Sequence, residues 1–238
     1  MNSLKSLLNT ALTGWVIFLC ALCKLAAEEP WQDALGQMPL VERVTQLNRT
    51  NCVDLVLRSF QSNSVVKALI FMPGATDELY MFHRAQASLA PGSPSLFDAV
   101  AALTNQTLVH ATFHPPFLLL HTDEDMLEPL IEITHPATVE RLKKARLASH
   151  VLCNDRDWDF VQPILRQTLK VGLRPWRNSF DSWHFYRHSF AAWNLNGWEA
   201  LEAAALAGKT KFAVRRRQVI FTVDSRVGAI PKLDAFPR

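Results

Sequence analysis

The chain has 238 residues, a net charge of +3 and 20% charged side chains. That length allows one large domain or two small ones. The modest total hides an uneven distribution: residues 28–130 hold 12 acidic and 5 basic side chains (−7), residues 131–238 hold 10 and 18 (+8). Such asymmetry points to an electrostatic partner or to contact between the halves.

Lys5 followed by the uncharged run at 12–23 and by Leu25-Ala26-Ala27 reads as a secretory signal. The run is shorter than the roughly 20 apolar residues of a membrane helix. Cleavage after Ala27 is expected, giving a periplasmic or secreted product that meets membrane only through residues 1–27. Nothing later reads as a membrane-spanning segment. Cys20 and Cys23 are then lost, while Cys52 and Cys153 remain. In an oxidising compartment they are a candidate disulfide, with two buried free thiols as the other reading.

In chain order, apolar spacing predicts helices over 40–47 and 54–61 and a strand over 65–72 that ends at Pro73-Gly74. The aromatic stretch 77–84 reads as a further strand. Ser93 and Pro94 read as the start of a helix whose face is Leu96, Ala99, Val100 and Leu103. Strands follow over 108–113 and 117–121, joined at Pro115-Pro116. Beyond residue 130, helices are expected over 139–150 and 157–169. A third has Asn196 as cap and Glu199 completing a capping box. Strands at 211–215 and 219–223 then flank Arg216-Arg217.

The chain also matches itself. Val41-Glu42-Arg43 returns as Val139-Glu140-Arg141, Cys52 as Cys153, and the stretch 77–84 as 181–188. Residues 103–107 (LTNQT) return as 206–210 (LAGKT), and 118–123 as 219–224. Five matches in order at nearly one spacing predict an internal repeat. The expected class is α+β, with two tandem copies of a helix-strand-strand-helix-strand-strand unit. The expected division is 1–27 signal peptide, 28–130 first repeat and 131–238 second repeat.

The strand–helix–strand–strand part, with Leu96-x-x-Ala99-Val100-x-x-Leu103 ending at Thr107 and Leu206-Ala207-Gly208-Lys209-Thr210 before Phe212, resembles the short N-terminal domain of secretins and TonB-dependent receptors. Asn105-Gln106 stand where that family usually has a helix-ending Gly. The resemblance covers roughly fifty residues of each copy and implies a small periplasmic module that docks onto other proteins.

No nucleophile elbow, phosphate loop or dinucleotide fingerprint occurs. His110 with His114, and His184 with His188, have a helical metal spacing but sit in predicted strands, where the rings diverge. Asp123-Glu124-Asp125 reads as a solvated turn. Neither a catalytic residue nor a cofactor or metal site is expected. The candidate contact residues are a basic patch of Lys209, Lys211, Arg215, Arg216 and Arg217, and an aromatic surface of Trp176, Trp183, Trp193 and Trp198. A solvated charge run and core packing are the plainer readings of each. The sequence thus leads to a non-enzymatic interaction module whose partner is an envelope protein or a second copy, with no nucleic acid. The alternative is an envelope binder of a carbohydrate or anionic ligand through the Trp- and Arg-rich second repeat.

Overall fold

Two sheets separated by a layer of helices organise the chain. The computed structural model describes residues 29–48, 50–61, 63–72, 86–122, 127–147, 150–156, 158–175 and 188–223. The signal segment, the aromatic stretches at 77–84 and 181–187, and Asp123–Asp125 lie outside them.

The first half runs α1 (Pro30–Gly36), β1 (Gln46–Leu47), α2 (Cys52–Ser59), β2 (Ala68–Met72), β3 (Ala87–Ser88), α3 (Leu96–Gln106), β4 (His110–His114) and β5 (Phe117–His121). The second runs β6 (Ile131–Ile133), α4 (Pro136–Lys144), β7 (His150–Arg156), α5 (Trp158–Leu169), β8 (Gly172–Pro175), β9 (His188–Trp193), α6 (Gly197–Ala207), β10 (Thr210–Val214) and β11 (Gln218–Val223). Helices and mixed sheets make the class α+β.

β1 and β3 form a two-stranded sheet. The larger sheets have the orders β4-β5-β2-β9-β7 and β6-β10-β11-β8. Antiparallel pairing of β2 with β9 brings residues from both sides of position 130 into one sheet. Certain pairings recur. β1 with β3 and β7 with β9 are antiparallel, β2 with β5 and β8 with β11 are parallel, and β4 with β5 and β10 with β11 are antiparallel. The amides of Leu96 and Gly197 bond to the carbonyls of Met38 and Ala145, beside the bridges Pro39–Ser95 and Arg146–Asn196.

The sequence matches do not all follow this recurrence. Val41 to Arg43 lie in irregular chain before β1, whereas Val139 to Arg141 lie in α4; Cys52 opens α2, whereas Cys153 is inside β7. The match of 118–123 with 219–224 falls on the paired strands β5 and β11.

Strand chemistry explains the layering. β2 reads ALIFM and β5 FLLLH, apolar on both faces, and both are buried throughout. Leu69, Phe71, Leu118 and Leu120 face the core shared with α1, α2 and α3. Ala68, Ile70, Phe117 and Leu119 face the opposite core, which contains α4, α5, α6 and the inner residues of β10 and β11. α6 therefore lies between two sheets. Its run Ala203 to Ala207 is buried on every side, and alanine is the side chain small enough for so close an approach. Trp198, Glu199 and Glu202 on the same helix are half-buried.

Other differences are local. No helix covers 40–47; Leu40, Val44 and Leu47 pack against the first core from irregular chain and β1, so helical spacing arises there without a helix. The helix expected over 139–150 stops at Lys144, and His150 to Arg156 is a strand. α3 is capped by Ser95, not Ser93, through a capping box with Asp98; Asn196 and Glu199 form the expected box on α6.

Candidate functional site

The four-stranded sheet has one packed face and one open face, and alternation within each strand sets them apart. On β10, Thr210, Phe212 and Val214 are buried, while Lys211, Ala213 and the following Arg215 turn outward. On β11, Val219 and Phe221 are inner; Ile220, 8% exposed, and Thr222 are outer. Glu132 on β6 pairs with Ala213 and is exposed, as is Arg174 on β8. Together Leu130, Ile131, Glu132, Lys211, Phe212, Ala213, Arg215, Ile220 and Thr222 line a groove of about 570 Å³.

The hairpin beside the groove has a fixed backbone and free side chains. The Arg215 amide bonds the Gln218 carbonyl at 2.9 Å. The Thr138 hydroxyl donates to the Arg216 carbonyl at 3.0 Å, and the Gly172 amide to the Arg217 carbonyl at 3.0 Å. The guanidinium groups of Arg215, Arg216 and Arg217 are left exposed. Among the described residues no ion pair engages these arginines, Lys211 or Arg174, and Glu132 is the carboxylate set among them. The field over this face is positive and is felt within about 8–10 Å at ordinary ionic strength.

The predicted basic patch therefore needs one correction. Lys209 is 2% exposed and sits at φ 48° just after α6, so it belongs to the interior rather than to the surface with Lys211, Arg215, Arg216 and Arg217. The residues that sequence reasoning missed are Leu130, Glu132, Ile220 and Thr222. Their signal was the outer phase of the same strand alternation, but pairing of β6 with β10, which joins residues 81 apart in the chain, has no local signature.

The aromatic surface is also corrected. Trp176 and Trp183 lie outside the described residues. Trp193 is half-buried, packs with the first core and stacks on His150 at 4.2 Å between ring centres. Trp198 packs with the second core, edge-on to Phe212 at 5.6 Å. The pair serve opposite sides of the five-stranded sheet and make no common platform.

Cys52 and Cys153 are free and buried, so the candidate disulfide is not formed. Cys52 lies in the first core and Cys153 in the second, because Cys153 points to the opposite face of β7 from its neighbours Leu152 and Asn154. Burial pushes both thiols up to about 12, with Arg156 partly opposing this at Cys153. Both are held un-ionised, the unreactive form.

A second polar group lies at the carboxyl end of β2 and β5. His121 and His188 are buried there, as are Lys209 and Thr210. His121 shares a 2.8 Å hydrogen bond with Thr112 and lies beside His110, with ring centres 5.8 Å apart. Gly208 lies against the His188 ring, where a side chain would collide. His110 and His114 are on β4 as expected; His184 is outside the described residues. Among the described residues no group of three His, Cys, Asp or Glu is placed to hold a metal, and no helix is long and apolar enough to cross a membrane.

The halves meet through Lys67 and Glu199, 2.6 Å apart, and through Asn154 and Asp54 at 3.1 Å. In the ion pair the acidic half supplies the cation and the basic half the anion, the reverse of the net charges. Comparisons with protein-family models, curated proteins and solved structures found no match to the chain.

Proposed function

We propose that this chain is an exported protein–protein interaction module, without a catalytic role, that docks an acidic partner on the open face of the four-stranded sheet. One observation carries the reading. The face of β2 and β5 turned away from α6 is apolar and covered by α1, α2 and α3, whereas the face of β10 and β11 turned away from α6 carries Lys211, Ala213, Ile220 and Thr222, with Arg215 beyond, and borders a groove. The unpaired cations of that face lower the free energy of a carboxylate-rich surface that approaches it. The segment 1–27 supports export to a periplasmic or secreted location. The resemblance of 96–107 and its following strands to the short N-terminal domain of secretins and TonB-dependent receptors adds a reason to read docking.

The groove also supports a second reading, an envelope binder of a small anionic ligand. Carbohydrate recognition gains nothing from Trp193 and Trp198, which do not converge. The test is a pull-down from envelope extract with the mature chain and with its Arg215→Glu/Arg216→Glu/Arg217→Glu form. The proposal expects an acidic protein retained by the first and lost from the second, with retention falling as salt rises. Identical protein profiles from both baits overturn it. Native mass spectrometry showing a bound small anion without a protein partner favours the second reading.

A further inference from the structure

Resting on that docking reading, we infer that the partner binds as an added β-strand: an extended segment with alternating carboxylate and apolar side chains pairs with the free edge of β6. The backbone sets this up. β6 is an edge strand. The Phe212 amide bonds the Leu130 carbonyl, and the Thr134 amide bonds the Val214 carbonyl, each at 3.1 Å. In a parallel pair the bonding residues alternate, so Leu130, Glu132 and Thr134 turn their polar groups to β10. Those of Ile131 and Ile133 point away from the sheet. Among the described residues nothing pairs with them, and neither Lys nor Pro within β6 blunts the edge.

Side chains at this edge select the occupant. Leu130 is 44% and Ile133 49% exposed, apolar surface beside an open ladder. Glu132 is in register with the outer Ala213 and lines the groove with Lys211 and Arg215, while Ile131, at the groove's border, and Ile133 are in register with the buried Phe212 and Val214. A strand laid along β6 would alternate in the same manner, with one set of side chains over the basic face and the other beside Ile133. Carboxylates set to either side of Glu132, within reach of the Lys211 and Arg215 side chains, suit the first set, and branched apolar groups the second. β6 has only three residues, so backbone pairing alone is too short to hold a partner. The cations of the neighbouring strand supply the rest and choose acidic over basic segments.

The probe is a fluorescein-labelled peptide, Gly-Glu-Val-Glu-Val-Glu-Gly, titrated with the full chain by anisotropy at low salt. Two controls carry N-methyl groups, one on the valine amides and one on the glutamate amides; a third has Lys for Glu. Strand addition expects one methylated peptide to bind about tenfold more weakly or worse, because only one amide edge faces β6. The Lys peptide should not bind. Lys211→Glu/Arg215→Glu should weaken the parent peptide about tenfold. Ile133→Pro, which removes an outward amide that a proline on an edge strand can spare, should weaken it while leaving thermal unfolding near that of the parent chain. The methylated peptides need no protein variant, so a misfolded mutant does not blunt the test. Equal binding of all three acidic peptides overturns strand addition but leaves docking on the basic face in place. Failure of these peptides and of poly-L-glutamate to bind the parent chain overturns both.

Discussion

Each of the two large sheets sets one face against the helix layer α4–α6, and they differ in what lies on the other. The five-stranded sheet turns Leu69, Phe71, Leu118 and Leu120 to a second helix layer, so β2 and β5 are apolar through and through. The four-stranded sheet turns Lys211, Ala213, Arg215, Ile220 and Thr222 to a groove that no helix layer covers among the described residues. The same pairing pattern of a parallel pair and a hairpin thus serves two purposes. A strand buried on both sides holds the molecule together, and a strand buried on one side can afford side chains chosen for a partner.

The largest expected effect breaks this comparison directly. Ile70 on β2 is fully buried, and Ile220 on β11 is an outer residue. Ile70→Lys places an ammonium between helix layer and sheet and should cost about 4 kcal/mol or more. Ile220→Lys can extend its charge out over the open face and should cost about 1 kcal/mol. Chemical denaturation of both variants checks the pair, and similar losses would mean that the second face is covered after all.

A smaller effect sharpens the contrast between helices. The residue after the N-cap is Leu96 on α3 and Gly197 on α6. A β-carbon on Gly197 would stand 2.8 Å from the Leu142 carbonyl oxygen and collide with the Leu169 side chain. Gly197→Ala should therefore destabilise by about 2 kcal/mol, measured by thermal unfolding. An unchanged midpoint would show that α4 and α5 yield more easily than a layer held between two sheets should.

The smallest effect is a titration. Burial raises the Glu202 carboxyl, Glu199 adds to the rise, and the Trp198 hydrogen bond and Lys143 oppose it. With the folded value above the unfolded one, the fold favours the protonated form. Glu202 thus contributes most below the ordinary carboxylate range and loses that contribution as pH rises. Glu202→Gln should stabilise by a few tenths of a kcal/mol at pH 7 and give no gain in acid. A gain independent of pH would assign the effect to packing instead.

The two faces were partly legible in the chain. Runs such as Ala68 to Met72 announce burial on both sides, and Lys211-Phe212-Ala213-Val214-Arg215 announces one wet side. What covers a face is not local, so the sequence could not show α6 wedged between sheets or β6 beside β10. Periodicity also misled where tertiary contacts imitate it. Leu40, Val44 and Leu47 reach a common core without a helix, and Val151, Cys153 and their neighbours continue an apolar pattern after α4 has ended. At the site, Lys211 and the three arginines were readable from charge alone. The burial of Lys209 was not, because it depends on a residue in left-handed conformation at the end of α6. The cysteines shared a spacing with other matches, but their opposite facing depends on the phase of β7.

The docking claim is tested most directly by amide hydrogen exchange on the full chain, with and without poly-L-glutamate at low salt. The account predicts slowed exchange in the segment that holds Ile131 and Ile133 and in the adjoining hairpin at 215–218. It predicts no change in α1, α2 and α3, and loss of the effect in Arg215→Glu/Arg216→Glu/Arg217→Glu. Slowed exchange over α1–α3, or a pattern that survives the charge reversal, would contradict it.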